Sequence, residues 1–463
     1  MNTYIHKKYT LIFLSIVLFF PFISCESFLD VDLPESQLIG ATVFDDATTA
    51  DAAMANIYAD IRDNGVLSGS LYGLSMNLGL YSDELEFYSD PSIPGFYFYN
   101  NTLLPTNLLV GNYWGTAYNE IYAANAVYEG VEASSSLAEE DANRLKGEAL
   151  FVRGLLHFYL VNLYGDIPYI TSTDYNENST VSRMPVDEVY HYILTDLEKA
   201  AEYLPESYYS TGRARPNKFT AIALSARLFL YKNDWAHSES EANLILNSGM
   251  YTIEQNPDAV FLKDSPEIIW QLPPALEGDA TAEAYTFTIF SPPPALCALS
   301  SELLNDFDDG DLRKIFWMGE ITDGESVWYY PKKYKQQGFE GISTEYSVIF
   351  RLAELYLIRA EARAHTGNLE GAKEDLNKIR LRAGLNATSA MTQTEIIQAI
   401  NEERKREFFT EHGQRFFDLK RHGKLDEKLS PIKPGWNSTD HLFPLPENEL
   451  SVNPNLQPQN PGY

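Results

Sequence analysis

Residues 349–385, IFRLAELYLIRAEARAHTGNLEGAKEDLNKIRLRAGL, decide how the whole chain is read. A helix from Arg351 to His365 is apolar on nearly every side, through Leu352, Leu355, Tyr356, Leu357, Ile358, Ala360 and Ala362. Such a helix has to be covered by neighbours on several faces. Thr366-Gly367-Asn368 supplies the break, because glycine tolerates the positive φ that ends a helix. A second helix places Leu369, Ala372, Leu376, Ile379 and Ala383 on one stripe, the spacing of an amphipathic helix. Ala360 facing Ala372 across the glycine turn predicts a close-packed hairpin of the tetratricopeptide kind, and one such hairpin cannot bury its own face.

Others follow on either side. Residues 218–232 and 235–247 read as a second helix pair turning at Asn233-Asp234. Helical spacing over 114–132 and 137–164, with Ala123, Ala126 and Ala149, marks a third. Further helices are predicted over 186–204, and from a cap at Asp45, Asp46 or Thr48 to about Asp63. Thr392-Gln-Thr-Glu395 is a capping box for a helix reaching about Glu411. Three or more hairpins can share a continuous core.

Two long stretches lose the helical period. Residues 67–113 hold two prolines flanking Phe96-Tyr97-Phe98-Tyr99, then Asn100-Asn101. Residues 255–346 hold strand-like pieces at 267–272 and 285–290 and the run Pro292-Pro293-Pro294. Segments this long without periodicity are usually functional or disordered, and their aromatic content argues against disorder. The tail from Pro431 reads as coil. The predicted fold class is mainly α: tetratricopeptide-like helical hairpins with long irregular insertions and a few short strands.

Charge and cysteine usage narrow the function classes. The chain has a formal charge of −30; residues 1–24 hold two lysines and no acid, so the rest carries 33 basic against 65 acidic groups, or −32. That balance repels phosphate backbones and excludes nucleic acid as a partner. Two cysteines cannot form a disulfide framework. His6, Lys7 and Lys8, the apolar run 11–20, and Phe22-Ile23-Ser24-Cys25 form a processing segment. The run is too short to span a bilayer. A small residue directly before Cys25 resembles a bacterial lipoprotein signal, with Cys25 the lipidated first residue; the alternative is an ordinary signal cut near Ser24. Residues 26–40 then read as a tether.

Catalytic and metal motifs are missing. HExxH, GxSxG and a P-loop are all absent. With 65 acids, some pair falls at glycosidase separation by chance. Cys297 lacks an evident His partner and reads as a buried structural thiol. His157 has no second ligand at metal spacing and reads as packed. Residues 306–311, DFDDGD, depart from the EF-hand alternation and lack its distal Glu. No cofactor, metal or catalytic residue is assigned. Arg404, Glu407, Glu411, Arg415, Asp418 and Arg421 sit at spacings of three and four, which predicts intrahelical ion pairs.

An ordered set of stretches resembles the SusD/RagB family of outer-membrane lipoproteins. These are CESFLD with Pro34, EALFVRGLLHFYLVNLYGDIPYI, MPVDEVYHYILTDLEKAAEYLP with Gly212-Arg213, the opening hairpin, INEERKREFFTEHGQRFFDLKRHG, and FPLPENELSVNPNLQPQNPGY. They run along nearly the whole mature chain. The resemblance implies a signal peptide at 1–24, an N-terminal half at 25–215 with the tether and ligand loops, and a C-terminal half at 216–463. The halves would pack as one unit. It also implies a non-enzymatic protein at the outer membrane, acting as a lid on a SusC-like TonB-dependent transporter. There it would capture a nutrient oligomer, with glycan favoured over the peptides of the RagB branch. A helical scaffold that assembles proteins without a small ligand is the competing class.

Sugars offer apolar C–H faces and many hydroxyls, so a glycan site wants aromatics to stack on and amides or carboxylates to hydrogen-bond. Tyr81, Asp83, Glu84, Tyr88, Phe96, Tyr97, Phe98, Tyr99, Asn100 and Asn101 offer that mixture. Tyr285, Phe287, Tyr329 and Tyr330 are weaker candidates, and the competing assignment is the loops' own packing. Trp114, Trp235 and Trp270 fall inside helix or strand patterns and read as core.

Overall fold

The computed structural model describes residues 43–463. The signal segment, Cys25 and the tether lie outside the described residues. In chain order come α1 (Ala47–Asp63), α2 (Leu74–Tyr81), β1 (Leu85–Phe87), α3 (Gly95–Tyr99), α4 (Leu108–Ala133), α5 (Glu139–Tyr164), α6 (Val186–Tyr203), α7 (Lys218–Tyr231) and α8 (Trp235–Leu246). Then follow β2 (Ile268–Leu272), α9 (Ala282–Phe287), β3 (Cys297–Leu299), β4 (Met318–Thr322), β5 (Val327–Pro331) and β6 (Ser347–Arg351). The chain continues through α10 (Leu352–His365), α11 (Leu369–Arg382), α12 (Gln393–Phe408) and α13 (Gln414–Arg421).

The hairpins stack in sequence order. α4 packs on α5, α5 on α6, α6 on α7, α7 on α8, α8 on α10, and α10 on both α11 and α12. Gly367 turns α10 into α11 at φ 87°, and Ala360 and Ala372 are both fully buried there. Asn217 and Thr220 form a capping box at α7, Thr392 and Glu395 another at α12. The α10–α11 hairpin has its own apolar cluster with Ile396, Ile400 and Phe408 of α12. A larger cluster joins both halves of the chain: Trp270 of β2 meets Tyr58, Phe151 and Phe350.

Several expectations change. α4 starts at Leu108, six residues early, because Asn107 caps it by accepting from the amides of Leu109 and Val110. Residues 285–290 are not strand: α9, capped by Thr281, takes the first three and the rest are irregular. α12 stops at Phe408, before Glu411. The tail is tied down: the Asn460 amide donates to the carbonyls of Tyr164 and Phe443. Trp114 and Trp270 are core, but Trp235 is only partly buried and stacks flat on His365 at 3.8 Å. His157 is packed; its Nε2 accepts from the Ile170 amide, so Nδ1 donates to the Arg153 carbonyl.

The charged ladder is the main correction. Of its members only Arg421 and Asp418 pair within one helix; the rest reach other elements. Glu407 is fully buried and accepts from Arg313, Arg351 and Arg382. Glu267 shares Arg351 at 3.3 Å and Arg382 at 3.1 Å. Glu411 takes Arg351 and Lys333. Arg404 pairs with Asp418, and Arg421 with Glu361. Burial alone would raise the Glu407 carboxyl, but Arg382, Arg351 and Arg313 outweigh it and hold the group well below the usual range. Glu407→Ala removes the carboxylate shared by three buried guanidinium groups, leaving Arg313 to Asp311, Arg351 to Glu411 and Arg382 to Glu267, and is expected to cost about 3 kcal/mol in chemical denaturation. Glu427→Ala, whose partner Lys424 is solvent-exposed, is expected to leave the denaturation midpoint unchanged.

Candidate ligand-binding face

The two irregular stretches meet through β-structure. β1 pairs antiparallel with β3, Leu85 opposite Leu299 and Phe87 opposite Cys297. β4 and β5 form a hairpin around Asp323-Gly324 that lies against β3. Alternation sends Gly319, Ile321, Trp328 and Tyr330 to one side of that hairpin, onto Ile289 and Ala298. Gly319 is required opposite Tyr330, since a Cβ there would fall 2.1 Å from the ring. The Cys297 thiol, buried at the centre, is pushed up to about 12 by burial.

Half of the predicted ligand residues are core. Tyr81 is fully buried and edge-packed by Phe98, Phe416, Trp436 and Phe443; its hydroxyl donates to the Asp440 carbonyl. Phe98 is fully buried against Tyr113 and Phe443. Asn101 is buried and donates to the Tyr81 carbonyl. Asp83 is buried under a two-pronged Arg415 contact at 2.8 and 2.6 Å, with Lys405 at 3.1 Å. Burial works against its ionisation, but Arg415 and Lys405 prevail and hold its carboxyl low. Glu84 is buried beside it. Phe287 and Tyr330 are also buried. These seven side chains are covered, most of them by the large core or by ion pairs to the C-terminal helices.

The remaining candidates stay accessible. Tyr88 and Tyr97 are each 40% exposed, and Phe96, Tyr99 and Asn100 are half-buried. Phe96 packs edge-on to Tyr97 and to Phe87, and Phe87 lies 6.4 Å from Tyr99. The Tyr88 hydroxyl donates to Glu86 at 2.8 Å, with the Trp328 side chain against the same hydroxyl. Partial burial and Glu86 push that phenol up to about 12, so it keeps its proton. The Lys433 ammonium sits 4.0 Å over the Tyr99 ring. A cleft of about 290 Å³ opens beside Tyr97, lined by Thr102, Thr106 and Asn107 with Leu104 and Leu108. Tyr329 is half-buried, on the opposite side of the hairpin from Trp328, bonded to Glu320. Tyr285, half exposed, donates to Asp279 next to Gly338.

Phe87 and Trp328 were missed by sequence reasoning. The signal for Trp328 was present: Asp-Gly between alternating residues marks a hairpin, and its alternation separates Trp328 from Tyr329. Among the described residues no cluster of His, Cys, Asp or Glu is arranged to hold a metal ion, and no helix is long and apolar enough to cross a membrane.

Two family models match this chain. One, described as starch-binding and associating with the outer membrane, covers residues 28–230; the other, the SusD family, covers residues 318–463. The chain belongs to the SusD/RagB family. A SusD-like protein of Formosa agariphila is 28% identical across 99% of this chain and all of its own length. The SusD fold is shared with a crystal structure from Bacteroides vulgatus at TM-score 0.78 and 21% identity, over 90% of this chain and 99% of that one. A laminarin-binding SusD-like protein superposes at TM-score 0.76 with 23% identity, over 90% and 99%. Family members are binding proteins, not enzymes.

The buried carboxyls of this region generate a pH prediction. Burial, helped by neighbouring Asp83, pushes Glu84 up to about 8 from an ordinary 4.5. The folded state thus holds a proton that the unfolded chain gives up above about 4.5. Stability from this group is greatest below that pH and falls as pH rises to about 8, by at most about 1.4 kcal/mol per unit. Glu84→Gln removes this loss. Denaturation at pH 5, 6.5 and 8 is expected to show the variant gaining on the parent as pH rises, with no further gain above 8.5.

Proposed function

We propose that this protein is a surface lipoprotein, anchored through Cys25, that binds a nutrient glycan and delivers it to a SusC-like TonB-dependent transporter. The observation carrying the reading is the partly exposed aromatic face of Tyr88, Phe96, Tyr97, Tyr99 and Trp328, with Phe87 behind it. Rings of this kind stack on the C–H faces of sugars, while Glu86, Asn100 and the polar wall of the Tyr97 cleft hydrogen-bond their hydroxyls. The laminarin-binding relative supports a glycan, and the outer-membrane description of the family model supports the address. Lipid at Cys25 holds the protein at the membrane without a spanning helix, since each buried CH₂ contributes about 0.8 kcal/mol. The halves 25–215 and 216–463 act together, because the face takes Tyr97 from one and Trp328 from the other. Tyr285 and Tyr329 would contact only a longer ligand.

Calorimetry against a panel of β- and α-glucan oligosaccharides and of oligopeptides tests the ligand class. Saturable oligosaccharide binding is expected, with Tyr97→Ala and Trp328→Ala each weakening it about tenfold, or about 1.4 kcal/mol. Tyr175→Ala, at an exposed tyrosine elsewhere, is expected to bind as the parent does. Peptide binding without glycan binding would replace the ligand class. In cells, Cys25→Ser is expected to move the chain out of the membrane fraction, and co-purification of a barrel transporter with the parent tests the partner.

A further inference from the structure

A second cleft, of about 410 Å³, lies between the C-terminal end of α1 and the N-terminal half of α4. It shares no lining residue with the aromatic face or the Tyr97 cleft. α1 contributes Asp60, Asp63 and its cap Asn64; α4 contributes Asn112, Thr116, Asn119 and Glu120, spaced to share one helical face. Tyr72, 52% exposed, closes one side.

Glu120 sets this cleft apart. It is 4% exposed, yet neither carboxyl oxygen has a hydrogen-bond partner, whereas Glu84 and Glu283 each leave only one oxygen unpaired. A buried carboxyl without partners forfeits its hydration and gains nothing in exchange. Asp60, of like sign, adds to the effect of burial in disfavouring its ionisation. Asp63 already holds Arg62, and that pair leaves Glu120 untouched. The C-terminal end of α1 adds the negative pole of its dipole.

We propose that this cleft is a ligand site for an organic cation, a primary ammonium or guanidinium group carried on a larger ligand. Such a group draws the Glu120 carboxyl, whose oxygens are covered in the unliganded chain, out into the cleft and donates to it, is attracted by Asp60 and the helix end, and lies against the Tyr72 ring. The amides of Asn112 and Asn119 and the Thr116 hydroxyl then serve the rest of the ligand. The volume is in the range of small-ligand pockets. A bare metal ion fits less well, because no group of three or more ligating side chains converges among the described residues. Burial and Asp60 push the Glu120 carboxyl up to about 8, and an arriving cation reverses that.

An ammonium group could arrive on an amino sugar or on a basic peptide, and the test separates the two. The full chain in detergent micelles is titrated with a glucosamine tetrasaccharide, its N-acetylated counterpart, trilysine and side-chain-acetylated trilysine. At least one charged probe is expected to bind saturably, with its uncharged counterpart at least tenfold weaker. Glu120→Gln and Tyr72→Ala are each expected to weaken that binding at least tenfold. Tyr72 is exposed, so its variant carries the test should Glu120→Gln fail to fold. Absence of binding by both charged probes would overturn the proposal, as would equal binding of charged and uncharged forms. Parent-like affinity in both variants, or calcium competing at Glu120, would do the same. Loss of glycan binding at the aromatic face leaves these outcomes unaffected.

Discussion

Everything outside the hairpin stack depends on a buried knot of opposite charges around Glu407 and Arg351. Three guanidinium groups meet Glu407, and two of them also meet Glu267 just ahead of β2. Taking so many charges out of water is expensive, and only near-complete pairing offsets it. The consequence is geometric. Arg351 ends β6, Arg382 ends α11, Glu407 lies in the last turn of α12, and Arg313 belongs to the second irregular stretch. Their positions become mutually dependent.

The same C-terminal helices latch both irregular stretches. Lys333, just past β5, donates to the carbonyls of Glu407 and Phe409 and to the Glu411 carboxylate. Asp83, just ahead of β1, is held by Arg415 and Lys405. Two segments more than 200 residues apart in sequence are thus fastened to the α12–α13 region, and β1 can then find β3. The aromatic face lies where these latched segments meet, so its rings are held by ion pairs that never touch a ligand. That is why Asp83 and Glu84, which look like hydrogen-bonding groups for a sugar, serve the fold.

Legibility in the sequence follows the range of the interactions. The hairpins α7–α8 and α10–α11 could be read because a 3.6-residue stripe and a glycine or asparagine turn are local signals. The face could be read only as a neighbourhood. Tyr81, Phe98, Asn101, Phe287 and Tyr330 have the composition of ligand residues, and nothing within ten residues of them announces Phe443, Trp436 or Ala298 as the groups that cover them. The ladder Arg404 to Arg421 failed for the same reason: spacings of three and four fit intrahelical pairs, yet partners such as Glu361, Asp83 and Arg313 are distant in sequence. Trp328 differs, since hairpin alternation was available and unused.

A stack of helical hairpins with latched insertions separates two tasks. The stack is fixed by small residues and apolar stripes, which tolerate little change in volume. The β4–β5 hairpin has a small core of its own around Tyr330, whereas Tyr81 of the first insertion belongs to the large cluster and packs on Phe416, Trp436 and Phe443, so it is the outward residues of the insertions that can vary without disturbing the stack. Under the proposed reading, ligand choice falls to positions such as Tyr97 and Trp328, which lie outside the main apolar cluster. The charge of the chain adds a second constraint. An acidic surface disfavours anionic polymers at long range, so on the proposed glycan-binding reading discrimination among neutral ligands falls to shape and stacking at short range.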